Sequence, residues 1–105
     1  MFDVAVILIN YNSSQLSIDC INSIYEKTSR ELNFQVIITD NCSEKKDFEN
    51  LKNFCDASNL PNLTLLKNHI NAGFGGGNMY GFKHANAKYL AFVNNDTLFI
   101  NDCLT

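Results

Sequence analysis

Four short apolar segments recur along the chain, and a cluster of polar residues follows closely after each of them. The first segment, residues 4–9, is an unbroken aliphatic run rich in β-branched side chains, which is the pattern of a strand buried on both faces of a parallel sheet. Residues 34–39, 63–67 and 89–93 are predicted to form the other three strands. Each polar cluster marks a point where a strand ends and the chain turns.

The segments between these strands have the spacing of amphipathic helices. One apolar stripe runs from Leu16 to a helix end near Thr28, and a second lies within residues 48–55, with Ser43 as its predicted N-terminal cap. A short third helix is predicted over about residues 78–86. The order βαβαβαβ implies right-handed crossovers, so we expect an α/β fold with a mostly parallel sheet and helices on both faces.

Size and composition exclude several classes of protein. With 105 residues and 46% hydrophobic content, the chain can bury one core. A net charge of −3 and the lack of basic patches argue against nucleic-acid binding. The first apolar run is far shorter than the roughly 20 residues that span a bilayer, so no transmembrane segment is predicted. The four cysteines form no C-x-x-C pair, which favours reduced thiols in a cytoplasmic protein over a zinc or redox site.

The polar clusters are predicted to meet at one edge of the sheet. They occupy residues 10–14, 40–43, 71–78 and 94–96. The carboxyl ends of parallel strands share an edge, and ligands of such sheets bind there. We therefore expect one binding site assembled from all four clusters.

Asp40 offers a carboxylate at this edge. It can accept the imide N–H of uracil or thymine, or the N1–H of guanine, whereas adenine and cytosine have no such donor. The alternative is that Asp40 caps the helix that follows it, as Asp residues commonly do.

Glycines are concentrated in the third cluster, where residues 73–77 hold four of the five in the chain. Such a stretch lets the backbone approach a ligand closely, and a helix behind it offers N–H groups to an anion. A flexible structural turn is one alternative, and a dinucleotide fingerprint is another. The fingerprint belongs after the first strand of its unit and ends in glycine, whereas this stretch follows the third strand and ends in Asn78.

The fourth cluster contains Asn94, Asn95 and Asp96, which place one carboxylate and two amides at the same edge. Oxygen ligands of this kind suit Mg²⁺ or Mn²⁺, which bind through one or two carboxylates together with substrate phosphates. A simple polar turn is the alternative.

Four stretches of the sequence, in order, resemble the signatures of family 2 glycosyltransferases. They read VILINYNS (residues 6–13), VIITDNCS (36–43), NAGFGGGN (71–78) and FVNNDT (92–97). The family has the Rossmann-like GT-A fold and transfers a sugar from a nucleoside diphosphate with inversion. The glycine-rich and Asn-Asn-Asp forms are most similar to the bacterial rhamnosyltransferase-like branch, which builds cell-surface polysaccharide.

The resemblance implies a role for residues in each stretch. Tyr11 and Asn12 are expected to line the nucleoside pocket, and Asp40 to bind the base. The residues expected to lie beside the nucleotide are Asn71, Gly73, Asn78, Asn94 and Asn95. Asp96 is expected to bind the metal, Mg²⁺ or Mn²⁺. The family motif has Asp at the position of Asn94, so Asp96 is the one carboxylate of this stretch.

The chain ends nine residues after Asp96. In the family, the acceptor-binding half and the catalytic base lie downstream of the metal motif. Residues 1–105 are therefore expected to be a donor-binding domain truncated before that half, with no catalytic residue of its own and no transfer activity alone. The acceptor of the whole enzyme is expected to be a glycan or a lipid-linked acceptor, and the enzyme is expected in the cytoplasm or at the inner face of the membrane.

Two other functions remain open from the sequence. One is a non-catalytic Rossmann-like module that serves assembly, because the surface left open by a missing half favours self-association. The other, less favoured, is a fragment of a dinucleotide-binding oxidoreductase. Binding of UDP, dTDP or GDP would favour the glycosyltransferase, and binding of NAD(H) would favour the oxidoreductase. A dimer that binds no nucleotide would favour the assembly module.

Overall fold

The described part of the chain folds into alternating strands and helices. The structure, a computed structural model, describes residues 2–28, 31–68 and 84–94. Its elements in chain order are β1 (Phe2–Asn10), α1 (Ser14–Lys27), β2 (Phe34–Asn41), α2 (Lys45–Ala57), β3 (Leu63–Asn68) and β4 (Ala87–Phe92). The four predicted strands and the first two predicted helices are confirmed. The helix predicted over about residues 78–86 lies mostly outside the described residues.

The four strands form one parallel sheet in the order β3-β2-β1-β4. β1 is central, because Val6 aligns with Val36 of β2 on one side and with Ala91 of β4 on the other. The chain moves outwards from β1 to β3 and then returns to the far side of β1 to form β4. Such a reversal of strand order opens a crevice at the carboxyl ends of the strands, where open α/β sheets bind ligands.

One face of the sheet packs against both described helices. The fully buried side chains of this core are Val6, Leu8, Cys20, Ile21, Ile24, Val36, Ile38 and Leu51. They come from β1, β2, α1 and α2, so the core joins all four elements. Burial of each large aliphatic side chain contributes about 1.5–3 kcal/mol relative to exposure.

The opposite face of the two central strands is buried as well. Side chains alternate between the faces of a strand, and Ile7 and Ile37, which alternate with the core residues, also have no exposed surface. This double burial confirms that residues 4–9 form a parallel strand covered on both sides. It agrees with the prediction of helices on both faces, although the third predicted helix falls largely outside the described residues.

Both helices begin without a cap from their own N-cap residue. Ser13 precedes α1 and Glu44 precedes α2, and neither side chain makes a capping hydrogen bond. The prediction that Ser43 caps α2 is therefore wrong, because the helix begins one residue later and the Ser43 hydroxyl binds groups on the neighbouring turn. Neither described helix has the length and apolar character needed to cross a membrane.

The three described cysteines form no disulfide bond, as predicted. Cys20 is buried in the core and Cys55 is partly buried, whereas Cys42 is exposed. Burial, with a smaller effect of the nearby Asp56 carboxylate, raises the pKa of the Cys55 thiol to about 11. Cys55 is thus a protonated packing residue at neutral pH.

Candidate functional site

The carboxyl ends of β1 and β2 lie side by side and carry two of the predicted polar clusters. Asn10 and Asp40 are partners in the parallel register. The turn after β1 contains Tyr11 and Asn12, and the turn after β2 contains Ser43. The structure therefore brings together Tyr11, Asn12 and Asp40, the site residues predicted from the first two clusters.

Asn10 is the centre of a hydrogen-bond network that joins both turns. Its side chain has no exposed surface. The amide nitrogen Nδ2 donates to Asp40 Oδ1 and to Asp47 Oδ2, each at 2.9 Å, and lies 3.2 Å from Ser43 Oγ. The carbonyl oxygen Oδ1 accepts a 2.7 Å hydrogen bond from the Ser17 hydroxyl of α1. A buried amide that is satisfied at both ends ties β1, β2, α1 and α2 into one arrangement.

Asp40 is fully buried and both of its carboxylate oxygens are bonded. Oδ1 accepts from Asn10, and Oδ2 accepts from the Ser43 backbone N–H at 3.1 Å. The carboxylate thus holds the turn before α2, and not the first turn of the helix itself. Each oxygen keeps a second lone pair for a further donor. Because Asp40 has no exposed surface, an N–H group of a ligand reaches it only after a local rearrangement of this edge.

Asn12 joins the turn after β1 to the turn after β2 by two hydrogen bonds. Its backbone N–H donates to Ser43 Oγ at 2.9 Å, and its side-chain Oδ1 accepts from the Glu44 backbone N–H at 2.7 Å. The second bond satisfies one of the backbone N–H groups at the N-terminus of α2, that of the N-cap residue Glu44. Next to Asn12, the Tyr11 side chain is half exposed, so an aromatic side chain stands beside the two joined turns.

Asp47 lies in the first turn of α2 and reaches across to α1. Its Oδ1 accepts a 2.9 Å hydrogen bond from the Ser14 backbone N–H, and its Oδ2 accepts from Asn10. Burial by itself would raise the pKa of Asp47, but hydrogen bonds from the Ser14 N–H and from the Asn10, Ser14 and Ser43 side chains lower the pKa below its ordinary value. Asp47 is therefore an ionised cap for α1 at neutral pH. We call the following residues the polar clasp: Asn10, Asn12, Asp40, Ser43 and Asp47.

Two residues of the joined turns have left-handed backbone conformations. The φ angle is 50° at Asn12 and 65° at Cys42. Asn tolerates this region, whereas a residue such as Cys is strained there by about 1 kcal/mol or more. Strain of this kind persists only where surrounding contacts hold the turn, and the polar clasp supplies them.

An open depression of about 420 Å³ lies beside the polar clasp. Its lining residues are all polar: Asn12, Ser14, Glu44, Lys46, Asp47 and Asn50. Asn50 donates a 2.9 Å hydrogen bond to the Ser14 hydroxyl on the wall of the depression. Two acidic side chains and one basic side chain give this lining a negative formal charge, which does not favour a diphosphate.

The end of β4 lies on the other side of β1. The Val93 backbone N–H donates to the Ile7 carbonyl at 3.0 Å, which continues the pairing beyond the strand. Asn94 follows, with an exposed side chain and with its carbonyl oxygen 3.9 Å from Cys20 Sγ. Asn94 is thus at the predicted edge, separated from Asp40 by the end of β1.

The other predicted site residues lie outside the described residues. They are Asn71, Gly73, Asn78, Asn95 and Asp96. Within residues 2–28, 31–68 and 84–94, no group of three or more His, Cys, Asp or Glu side chains is arranged to hold a metal ion. A cation bound by one carboxylate and substrate phosphates does not require such a group, so the prediction for Asp96 stays a prediction.

Sequence patterns do not reveal two residues of the site. Asn10 lies in the first polar cluster, where the sequence predicts no role for it, and Asp47 has no predicted role. An Asn that ends an apolar strand carries a weak signal, because a buried amide there needs partners. Asp47 carries only the general preference of helix N-termini for acidic residues. Its partners are 33 and 37 residues away in the chain, and no local pattern reveals such contacts.

Solved structures with known ligands share this fold. TarS 1–349 from S. aureus in complex with UDP-GlcNAc is 25% identical with a TM-score of 0.79, and the match covers 95% of this chain and 28% of that chain. The same protein in complex with UDP is 24% identical with a TM-score of 0.78, covering 95% and 29%.

A third structure is the mannosyltransferase PcManGT from Pyrobaculum calidifontis in complex with GDP-Man and Mn²⁺. It is 20% identical with a TM-score of 0.84, covering 97% of this chain and 31% of that chain. The predicted Rossmann-like GT-A fold is confirmed by these structures. The chain spans less than a third of the length of each of them.

Comparison of the sequence with protein families agrees with the structural matches. No curated protein sequence matches the chain significantly. The family model described as glycosyl transferase family 2 matches residues 5–105. This match includes all four stretches on which the resemblance was based. The chain therefore belongs to glycosyl transferase family 2.

Proposed function

We propose that this chain is the donor-binding part of a glycosyltransferase that takes its sugar from a nucleoside diphosphate of the UDP or dTDP type. The observation that carries the proposal is the pairing of Asp40 with Asn10 at the carboxyl edge of the sheet. This pairing sets a buried carboxylate directly beside the turn that holds Tyr11 and Asn12. Uracil and thymine each offer an imide N–H to such an acceptor.

The ligands named for the similar structures support this choice of base. TarS is described with UDP and UDP-GlcNAc, and PcManGT with GDP-Man. Uracil and guanine both carry a ring N–H that a carboxylate can accept. In the proposal, a local rearrangement exposes the Asp40 carboxylate to the base. The ring N–H of the base then donates a hydrogen bond to that carboxylate, and the base stacks on the exposed ring of Tyr11.

The remaining donor contacts are assigned to the third and fourth polar clusters. Asn71, Gly73 and Asn78 lie beside the nucleotide in this proposal, together with Asn94 and Asn95. Asp96 holds Mg²⁺ or Mn²⁺, which neutralises the diphosphate in a domain of net negative charge. The Mn²⁺ in the PcManGT complex supports the choice of a divalent cation.

The acceptor side of the reaction is proposed to be supplied by chain outside residues 1–105. The transfer is proposed to invert the anomeric centre, with a carboxylate outside this chain as the base that deprotonates the acceptor hydroxyl. The proposed acceptor is a glycan or a lipid-linked acceptor in the synthesis of a bacterial cell-surface polysaccharide, as in the rhamnosyltransferase-like branch. Such an enzyme works in the cytoplasm or at the inner face of the membrane.

Calorimetric titration tests the donor site directly. UDP, dTDP and GDP are compared with CDP and ADP, each with and without Mn²⁺. We expect binding of at least one of the first three and weak binding of the last two. Failure of all three to bind would overturn the proposal.

Two variants test the residue assignments. Asp40→Asn is expected to weaken UDP binding about ten- to hundredfold, the range for a hydrogen bond to a charged group, and to reduce the preference for UDP over CDP. Asp96→Ala is expected to abolish the effect of Mn²⁺ on affinity. Asp19→Asn, an exposed residue of α1 that bonds only Gln15 among the described residues, is the matched control. Binding by both site variants equal to that of the control would contradict the assignments.

A second candidate function is assembly through an open surface. Tyr89 and Phe92 of β4 are exposed, with 70% and 49% of their surface accessible. Large exposed apolar side chains on one strand favour association. Light scattering over a range of concentrations would show a dimer, and a dimer that binds no nucleotide would favour this function over the first.

A further inference from the structure

Asp47 is not among the residues proposed to contact the nucleotide, but it is hydrogen-bonded to residues beside them. It lies in the first turn of α2, and its two carboxylate oxygens accept hydrogen bonds from the Asn10 amide at the end of β1 and from the Ser14 N–H at the start of α1. One partner, Asn10, also holds Asp40. The other, the Ser14 N–H, directly follows the turn that contains Asn12. Asp47 therefore holds both ends of the first turn of the proposed nucleotide site, and it is linked to Asp40 of the second turn through the Asn10 amide.

We infer that Asp47 is a positioning residue for nucleotide binding, which acts through Asn10 and Ser43 to set the orientation of Asp40 and Asn12 toward the base. The inference rests on the proposed function. It adds a residue that affects nucleotide binding without contacting the nucleotide. It also predicts base preference, because Asp40 is the group that distinguishes uracil from cytosine.

The orientation of Asp40 depends on Asp47 because both carboxylates share the Asn10 amide. An amide has two N–H protons, and Asp40 and Asp47 each take one at 2.9 Å. If Asp47 no longer accepts, the Asn10 amide keeps its hydrogen bonds to Ser17 and Asp40 but loses the one that holds its second N–H. The Asp40 carboxylate is then held less firmly in one orientation.

The orientation of Asn12 depends on Asp47 through Ser43. The Ser43 oxygen accepts from the Asn12 N–H at 2.9 Å. A hydrogen bond between the Ser43 and Asp47 side chains contributes to the low pKa of Asp47. The hydroxyl therefore has one direction in which to donate and another in which to accept, and both are set by the neighbours. Removal of the acceptor lets the hydroxyl rotate and loosens the first turn.

Asp47→Asn is a specific test because the change is nearly isosteric and reverses one hydrogen bond. Both oxygens of Asp47 face donors, namely the Ser14 N–H and the Asn10 amide. An Asn side chain can accept from only one of them and must point its own N–H₂ group at the other. Asp56→Asn on the same helix is the matched control, since Asp56 is exposed and bonds Lys52.

The experiment measures UDP and CDP affinities of the whole 105-residue chain by calorimetry, at a temperature where circular dichroism shows each variant to be folded. For Asp47→Asn, we expect the Kd for UDP to rise about tenfold and the ratio of CDP to UDP Kd values to fall. For Asp56→Asn, we expect wild-type values. A residue that only stabilises the fold would change neither the Kd nor the ratio under these conditions.

A second variant covers the case in which Asp47→Asn does not fold. Ser43→Ala keeps the backbone N–H that Asp40 accepts and removes only the hydroxyl between Asn12 and Asp47, and it is expected to raise the UDP Kd and lower the same ratio. Folded variants with wild-type affinities and ratio would overturn the inference and leave the proposed function intact. A wild-type chain that binds none of the nucleotides would overturn the proposed function and the inference with it.

Discussion

Asn10 shows how one buried amide can organise a site. Three acceptors surround its two N–H protons, and the contact to Ser43 at 3.2 Å is longer than the contacts to Asp40 and Asp47. The two carboxylates are the stronger acceptors, because hydrogen bonds to charged groups are shorter and stronger. The Ser43 oxygen is left for the Asn12 N–H. The hydrogen bonds of the polar clasp thus determine one another's partners.

Thr39 is an exception to this pairing. Its side chain has no exposed surface, and its hydroxyl has no hydrogen-bond partner among the described residues. A buried hydroxyl without a partner destabilises the folded state. Thr39→Val keeps the branched shape and removes the hydroxyl, so the free energy of unfolding is expected to rise by about 1 kcal/mol.

Urea unfolding measures this effect. Thr64→Val is the matched control, because Thr64 is exposed on the neighbouring strand β3 and is expected to change stability little. A loss of stability in Thr39→Val would show that the hydroxyl makes a stabilising hydrogen bond.

Among the elements, each of the two helices is capped at its N-terminus by a residue from the other β–α unit. Asp47 from α2 accepts the Ser14 N–H of α1, and Asn12 from the turn before α1 accepts the Glu44 N–H before α2. The first N–H groups of a helix have no partner within it, and here each helix is supplied by the other unit. The two β–α units are therefore held in register at their binding edge as well as through their shared core.

The cap supplied by Asp47 makes the stability of the pair depend on pH. Its pKa is lower in the folded chain than in the unfolded chain. The folded state therefore binds fewer protons. The stabilising contribution is complete above the unfolded value of about 3.9 and is lost as the pH falls through the lower folded value.

Urea unfolding between pH 7 and pH 2.5 tests this dependence. Asp47→Asn is expected to lower the free energy of unfolding at pH 7 by about 1–2 kcal/mol, as for the loss of a helix cap. The difference from wild type is expected to shrink below about pH 4. Asp56→Asn serves again as the control. A difference that stays constant across this range would mean that the Asp47 carboxylate does not carry the contribution.

For the molecule as a whole, the binding edge is continuous with the core. β1 lies at the centre of the sheet between β2 and β4, and it ends in Asn10, which contacts α1, α2 and β2 through hydrogen bonds. A ligand bound at this edge would contact elements that share one core. Binding should then stabilise the entire described fold and not one loop.

Linkage gives the size of this effect. UDP at one hundred times its Kd is expected to raise the free energy of unfolding by about 2.7 kcal/mol, seen as a higher urea midpoint with an unchanged slope. CDP at the same concentration is expected to have a much smaller effect. Equal shifts with UDP and CDP would contradict recognition of the imide N–H by Asp40.

Much of the fold follows from local patterns. The unbroken aliphatic run of residues 4–9, rich in β-branched side chains, favours a strand covered on both faces, and the stripe through Ile21 and Ile24 favours a helix on that sheet. Polar residues directly after strands predict which edge of the sheet binds a ligand. Errors arose where a side chain had distant partners, as with Ser43, whose hydroxyl was expected to cap α2 and instead bonds Asn12.

The linear order of apolar and polar residues was sufficient to predict the α/β architecture and the family, because each depends on periodicity or on short motifs within one element. It was not sufficient to establish the polar clasp. Asn10 and Asp47 are 37 residues apart, and they meet because β1 pairs with β2 while α1 and α2 pack on the same face. Contacts between elements depend on that packing, so the folded chain alone shows that Asp47 joins the two turns.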